Sequence, residues 1–136
     1  MIAFFDASAL IYLIEGAEPF GAKVRKELAA AVKKHPDPGA AVSRLSWLEC
    51  RVRPMKGNDH ATLALFDAFF DRPDLVWVEL TRDVIELAAA IRVRAGLKTP
   101  DALQAASCLQ LGRDHLFLTG DSAFGRVADL NVKVLA

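Results

Sequence analysis

Four carboxylates in the sequence, Asp6, Glu49, Asp101 and Asp121, stand where a metal-binding or acid–base site could be assembled. Asp6 directly follows a short run of strand formers, Ile2 to Phe5, and Asp121 follows a second run, His115 to Leu118, in the same way. Either could instead serve an Asx-turn or a helix cap. Glu49 lies four residues after Leu45, beside the apolar positions Leu45, Leu48 and Val52 of a helical stretch, so a charge borders the face expected to be buried. Solvation at the edge of that stripe, or a pair with Arg53, would account for it equally well. Asp101 follows Thr99-Pro100 in the first turn of another helix, where the helix dipole favours a carboxylate and capping alone would suffice.

Taken together the acids say more than any one of them. Converging on one edge of a sheet, they would repel, at about 4 kcal/mol for a pair about 4 Å apart at an effective dielectric near 20. A divalent cation would offset that cost. Oxygen-only ligands suit Mg²⁺ or Mn²⁺ better than Zn²⁺, which prefers His and Cys. A cation so held would align a water with a phosphodiester and stabilise the leaving oxygen.

The elements that must position these acids follow from periodicity. Strands are predicted at Ile2 to Phe5, Ala40 to Val42, Leu75 to Leu80, His115 to Leu118 and Val132 to Leu135. Helices are predicted from Asp6/Ser8 through Ile14, from Phe20 to about Lys34, and from a Ser43 cap to about Arg53, where Pro54 and Gly57-Asn58 end it. Three more run from Asp59 to Phe70, from a Thr81 cap to Gly96, and from Thr99-Pro100 to Leu111. His35-Pro36-Asp37-Pro38-Gly39 reads as a stop and a loop. Alternating strands and helices predict a parallel α/β sheet covered on both faces, with ligands bound beyond the carboxyl ends of the strands.

Composition sets the frame. The 136 residues suit one domain over 1–136, and 53% hydrophobic with 25% charged residues fits a packed core. Basic and acidic side chains cancel at 17 each, so any polyanion must be held by local patches. No apolar run approaches the roughly 20 residues of a membrane span, and no secretory signal is visible at the N-terminus. Cys50 and Cys108 lack metal-like or disulfide spacing and read as reduced core residues of a cytoplasmic protein.

Four segments resemble the motifs of PIN domains, in the right order and at the right spacing over nearly the whole chain. They are Phe4-Phe5-Asp6-Ala7-Ser8-Ala9-Leu10, Ser43-Arg44-Leu45-Ser46-Trp47-Leu48-Glu49, Leu97-Lys98-Thr99-Pro100-Asp101-Ala102-Leu103 and Phe117-Leu118-Thr119-Gly120-Asp121-Ser122-Ala123-Phe124. The resemblance implies a three-layer α/β/α fold with strand order 3-2-1-4-5. It implies that Asp6, Glu49, Asp101 and Asp121 bind Mg²⁺ or Mn²⁺, with Ser8 and Thr119 as polar support. Two departures stand out: Gly120 where an Asn is frequent, and Gln104 where a His is common.

A lone PIN domain of this length resembles the toxin half of a VapC-type toxin–antitoxin pair. That implies an endoribonuclease acting on structured RNA, a homodimer, and inhibition by a small antitoxin, for which the helices Phe20 to Lys34 and Asp59 to Phe70 could offer an apolar groove. Arg51, Arg53, Lys56, Arg92, Arg94 and Lys98 could hold phosphates or simply be solvated. The contrasting readings are a PIN-like module that binds RNA or protein without cutting, a phosphatase resembling haloacid dehalogenases, and a phosphorelay receiver. The phosphatase would carry a second Asp where Ser8 stands, and the receiver a lysine at the late strand, where this chain has Thr119-Gly120-Asp121.

Overall fold

The computed structural model describes residues 1–16, 18–35 and 38–135. In chain order the elements are β1 (Ile2–Phe5), α1 (Ala7–Glu15), α2 (Phe20–Lys34), β2 (Gly39–Ser43), α3 (Arg44–Lys56), α4 (His60–Phe70), β3 (Leu75–Val78), α5 (Arg82–Ala95), α6 (Thr99–Leu109), β4 (His115–Thr119), a 3₁₀ turn (Ser122–Arg126) and β5 (Val132–Val134). The five strands form one sheet in the order β3-β2-β1-β4-β5. Every pairing is parallel, so both faces need covering. The expected order and layering are what the structure has.

Side chains alternate across the sheet and divide the core in two. Phe4, its register partners Ala41 and Phe117, and Val78 face α5, α6 and the 3₁₀ turn, where Val84, Ile91, Ala102, Ala105 and Phe124 are buried. Phe4 and Phe117 stack at 5.4 Å between ring centroids. Ala3, Phe5, Val42 and Leu118 face the other way, onto Leu10, Val24, Cys50, Phe66 and Phe70 of α1 to α4. Alanines at Ala102, Ala105 and Ala106, all fully buried, let α6 lie close against the sheet. Both cysteines are buried and free. No helix is long and apolar enough to cross a membrane.

Caps set the helix starts. Asp6, Ser43, Asp59 and Thr81 each accept a backbone N–H of the first turn with the side chain, and Gly16 and Gly96 end α1 and α5 in the left-handed conformation. Several boundaries differ from the sequence-based ones. α3 does not stop before Pro54 but runs to Lys56, because Pro54 stands in the last turn, where Arg53 O is still satisfied by Gly57 N at 3.1 Å. β3 ends at Val78, β5 at Val134, and α6 at Leu109. α2 ends at Lys34 as expected, but the stop read from Pro36 and Asp37 lies outside the described residues.

One expectation is overturned in orientation. The buried residues of α3 are Ser46, Cys50 and Pro54, whereas Leu48 is 59% exposed, Val52 40% and Met55 56%. Of the stripe Leu45, Leu48 and Val52 read as core, Leu48 and Val52 therefore face outward, while Leu45 is half-buried. The buried face is built from small side chains instead: Cys50 packs with Leu10, Val24, Phe66 and Phe70 of α1, α2 and α4, and Ser46 accepts from Gln104 of α6.

Candidate active site

The turn after β1 is the centre of the polar cluster. Asp6 is 5% exposed and caps α1, Oδ1 accepting Ala9 N–H at 2.9 Å and the Ser8 hydroxyl at 2.7 Å. Thr119, fully buried at the end of β4, donates its hydroxyl to the other oxygen, Oδ2. Ser8 Oγ in turn accepts Gly120 N–H at 2.9 Å, and Thr119 Oγ1 accepts Asp121 N–H at 3.1 Å. Two hydroxyls thus tie the β1 turn to the β4 turn, the neighbouring strands from whose ends the chain departs in opposite directions across the sheet.

The other three acids arrive from different elements. Asp101 is half-buried in the first turn of α6, whose cap is Lys98 without a side-chain bond, and no hydrogen bond to its carboxylate occurs among the described residues. Capping therefore does not explain it. Asp121 is exposed and accepts Ala123 N–H at 2.8 Å, so the turn-forming role foreseen for it does hold. Glu49 is half-buried on α3, with Oε1 accepting from Gln104 Nε2 at 3.0 Å. It makes no pair with Arg53 among the described ion pairs.

Electrostatics link the four. Burial lifts the Asp6 carboxyl from 3.8 to about 6, against the lowering effect of the bonds from Thr119, Ala9 and Ser8, and the charge of Asp101 adds to the rise. Glu49 is pushed up by burial, opposed by the Gln104 bond, and raised again by Asp101. Asp101 is raised by burial and by the charge of Asp121, with Lys98 pulling it down. Asp101 is thus within electrostatic reach of the other three.

Among the described residues no three His, Cys, Asp or Glu side chains are grouped closely enough to hold one metal ion together. The donor chemistry, carboxylate oxygens without His or Cys, is the kind Mg²⁺ or Mn²⁺ takes, and Mg²⁺ keeps several waters and needs only one or two carboxylates directly. Of the cationic candidates, Arg51 is engaged by Asp67 and lies over the Trp47 ring, and Arg92 donates to Leu97 O and Thr99 Oγ1. Lys98 stands near enough to Asp101 for its charge to pull that carboxyl down. Sequence reasoning noted Gln104 only as a departure and did not single out Ser46 or Tyr12. The one signal available was that Gln104 follows Asp101 by three residues and so shares its helix face.

A PIN domain family model matches residues 3–130. The chain belongs to the PIN domain family. Compared with the curated proteins, the sequence has no significant match. Among solved structures, this PIN domain is similar to VapBC2 from Rickettsia felis bound to a DNA fragment from its promoter, with a TM-score of 0.77, 15% identity and 98% of both chains covered. It is also similar to a toxin–antitoxin complex from Klebsiella pneumoniae, with a TM-score of 0.68, 25% identity and 98% of both chains covered. VapBC-1 from nontypeable Haemophilus influenzae gives a TM-score of 0.67 at 17% identity, over 99% of this chain and 98% of the other.

The geometry explains why this PIN domain has glycine at 120. A Cβ there would lie 2.6 Å from the Tyr12 hydroxyl and 2.8 Å from Cε2, and the ring is held by stacking on Phe20 at 4.6 Å. We expect Gly120→Ala to destabilise the fold by about 1–3 kcal/mol, the usual cost of overpacking. In a Tyr12→Ala background the same substitution should cost much less. Denaturant titration of the four proteins checks this; equal costs in both backgrounds would show that Tyr12 is not the obstacle.

Proposed function

We propose that this PIN domain is a divalent-cation-dependent endoribonuclease and the toxin of a VapBC-type toxin–antitoxin pair. The observation that carries the reading is the joining of the β1 and β4 turns, where Ser8 and Thr119 hold both oxygens of the buried Asp6 and Thr119 also binds the backbone of Asp121, with Asp101 near enough to raise the Asp6 carboxyl by its charge. The charge of Asp101 disfavours ionisation of Asp6 and Glu49, as that of Asp121 does for Asp101, and a cation would offset this repulsion, which favours a metal-dependent site over a module that merely binds.

Asp6 and Asp101 would hold Mg²⁺ or Mn²⁺, with Glu49 and Asp121 completing the negative site. When bound, the cation activates and orients a water and offsets the charge that grows on the phosphate oxygens. Thr119 and Ser8 keep both Asp6 oxygens fixed, so that the carboxylate needs no reorganisation to act. Lys98, beside Asp101, offers a positive charge for an RNA phosphate.

The antitoxin partner is inferred from the neighbours, three of which are VapBC or toxin–antitoxin complexes. Homodimerisation is supported by the outward stripe of Leu48, Val52 and Met55, since apolar side chains aligned on one helix face mark an interaction surface. On the helices foreseen as an antitoxin groove, Val32 of α2 and Leu65 of α4 are exposed at 49% and 54%.

The test is incubation of a labelled RNA pool with the purified protein in Mn²⁺ or in EDTA. Discrete fragments in Mn²⁺ and intact RNA in EDTA are expected. RNA that is retained by the protein but left uncut under both conditions would overturn the enzyme reading in favour of a binding module.

A further inference from the structure

Gln104 is a buried polar side chain that the proposed chemistry leaves without a task. It is 2% exposed on α6, and its Nε2 is shared between Ser46 Oγ at 2.9 Å and Glu49 Oε1 at 3.0 Å. Its Oε1 is buried with no hydrogen-bond partner among the described residues. A buried carbonyl oxygen left unpaired destabilises a fold, and an apolar side chain of the same shape would avoid that cost. Turning the amide over would not help, because it would set the carbonyl oxygen against the Glu49 carboxylate, acceptor against acceptor. The orphaned oxygen is thus the consequence of presenting the N–H to Glu49.

Position explains what the N–H achieves there. Gln104 is three residues after Asp101 on α6, and Glu49 three after Ser46 on α3, so the amide bridges two helix faces at the point where both acids emerge. Glu49 is a long side chain, half-buried, and repelled by the Asp101 charge. Left alone, it gains both rotamer freedom and distance from Asp101 by swinging to solvent.

We propose that Gln104 is a positioning residue that holds the Glu49 carboxylate on the Asp101 side of the α3–α6 seam, and thereby toward the divalent cation. This rests on the cation reading above. It makes Gln104 a residue retained at a cost in stability for the sake of the site.

The test is Mn²⁺ binding by calorimetry, with thermal melting of the metal-free proteins alongside. Gln104→Met keeps the length of the side chain but has no donor. It should bind Mn²⁺ about 10- to 100-fold more weakly than the wild type, the usual effect of removing a group that orients a metal ligand. Its metal-free melting temperature should be equal to or above that of the wild type, which a merely structural role would not give. Gln104→His, which retains a ring N–H, should recover most of the loss. In a Glu49→Gln background, Gln104→Met should weaken binding no further. Wild-type Mn²⁺ affinity in Gln104→Met, or an undiminished loss in the Glu49→Gln background, overturns the inference alone. Absence of Mn²⁺ binding by the wild type overturns the cation reading and this inference with it. Should Gln104→Met fail to fold, Gln104→Asn, whose shorter arm cannot reach Glu49, carries the same comparison.

Discussion

Asp101→Asn and Asp6→Asn are each expected to lower RNA cleavage by at least about 10²–10³-fold, the range typical for removing a group aimed at the reacting charge. Both proteins should remain folded. At neutral pH and without metal, Asp6→Asn should melt higher than the wild type. The sign follows from burial: the Asp6 carboxyl is raised from 3.8 to about 6 in the folded chain, so its neutral form is the one the fold favours. Below about pH 4 the group is protonated in both states and costs nothing. Between about pH 4 and 6 the unfolded chain has lost this proton while the folded one keeps it, so stability falls by on the order of 3 kcal/mol and levels off above about 6, where the folded protein carries the buried charge. Asparagine keeps the oxygen that caps α1 and removes the charge, so melting curves of Asp6→Asn between pH 4 and 7 should be flatter than those of the wild type. A variant with near wild-type cleavage at saturating Mn²⁺ would show that the substituted acid has no part in the reaction.

The second large effect concerns the ends of the products. Ribonucleases that use the 2′-hydroxyl of RNA as nucleophile need a base and an acid, most often histidines. This chain has His35, His60 and His115. His115 is 2% exposed and engaged at both ring nitrogens, Nδ1 with Gly112 O at 2.7 Å and Nε2 accepting Asn131 N–H at 3.0 Å. It opens β4, while Thr119 closes the same strand, roughly 13 Å away at the rise of a parallel strand. His35 flanks the C-terminus of α2, and His60 begins α4, so neither lies at the turns that hold Asp6 and Asp121. With water as the nucleophile, the 3′ oxygen leaves and the 2′-hydroxyl takes no covalent part. Fragments should therefore end in 5′-phosphate and 3′-hydroxyl, and a single 2′-deoxy sugar at the cut site should still permit cleavage. A lower rate on that substrate is compatible with the hydroxyl serving recognition. Sequencing that finds 2′,3′-cyclic phosphate termini, or binding of the deoxy substrate with no cleavage at all, would contradict the water mechanism.

What could be read from the residues was local. The run Ile2 to Phe5 ending at Asp6 announces both a strand and the cap of the next helix, and the structure has both. Ser43 and Thr81 were legible as caps for the same reason, since their chemistry acts within three residues of its own position. Alternation of strands with helices gave the parallel sheet, whereas the strand order came only with the family resemblance, because pairing of distant segments leaves no periodic mark. The orientation of α3 was misread because helical periodicity reports an apolar face but not what covers it. Leu48, Val52 and Met55 mark a face turned to solvent, and the true core face is built from Ser46, Cys50 and Pro54. The Gln104–Glu49 bond was invisible for a further reason: its partners are 55 residues apart and meet only when α3 and α6 close on the same sheet edge. Tyr12 over Gly120 is a contact of the same non-local kind.

The most direct test of the acidic site is calorimetric titration of the RNA-free protein with Mn²⁺ at pH 7.5 and at pH 5.5, for the wild type, Asp6→Asn and Asp101→Asn. Metal and protons compete for the same carboxylates, and the Asp6 carboxyl stands at about 6 in the absence of metal. The wild type should bind Mn²⁺ at pH 7.5 and more weakly at pH 5.5, and both variants should lose most of the affinity at either pH. Wild-type affinity in both variants, unchanged between the two pH values, would contradict the assignment of these acids as the cation site.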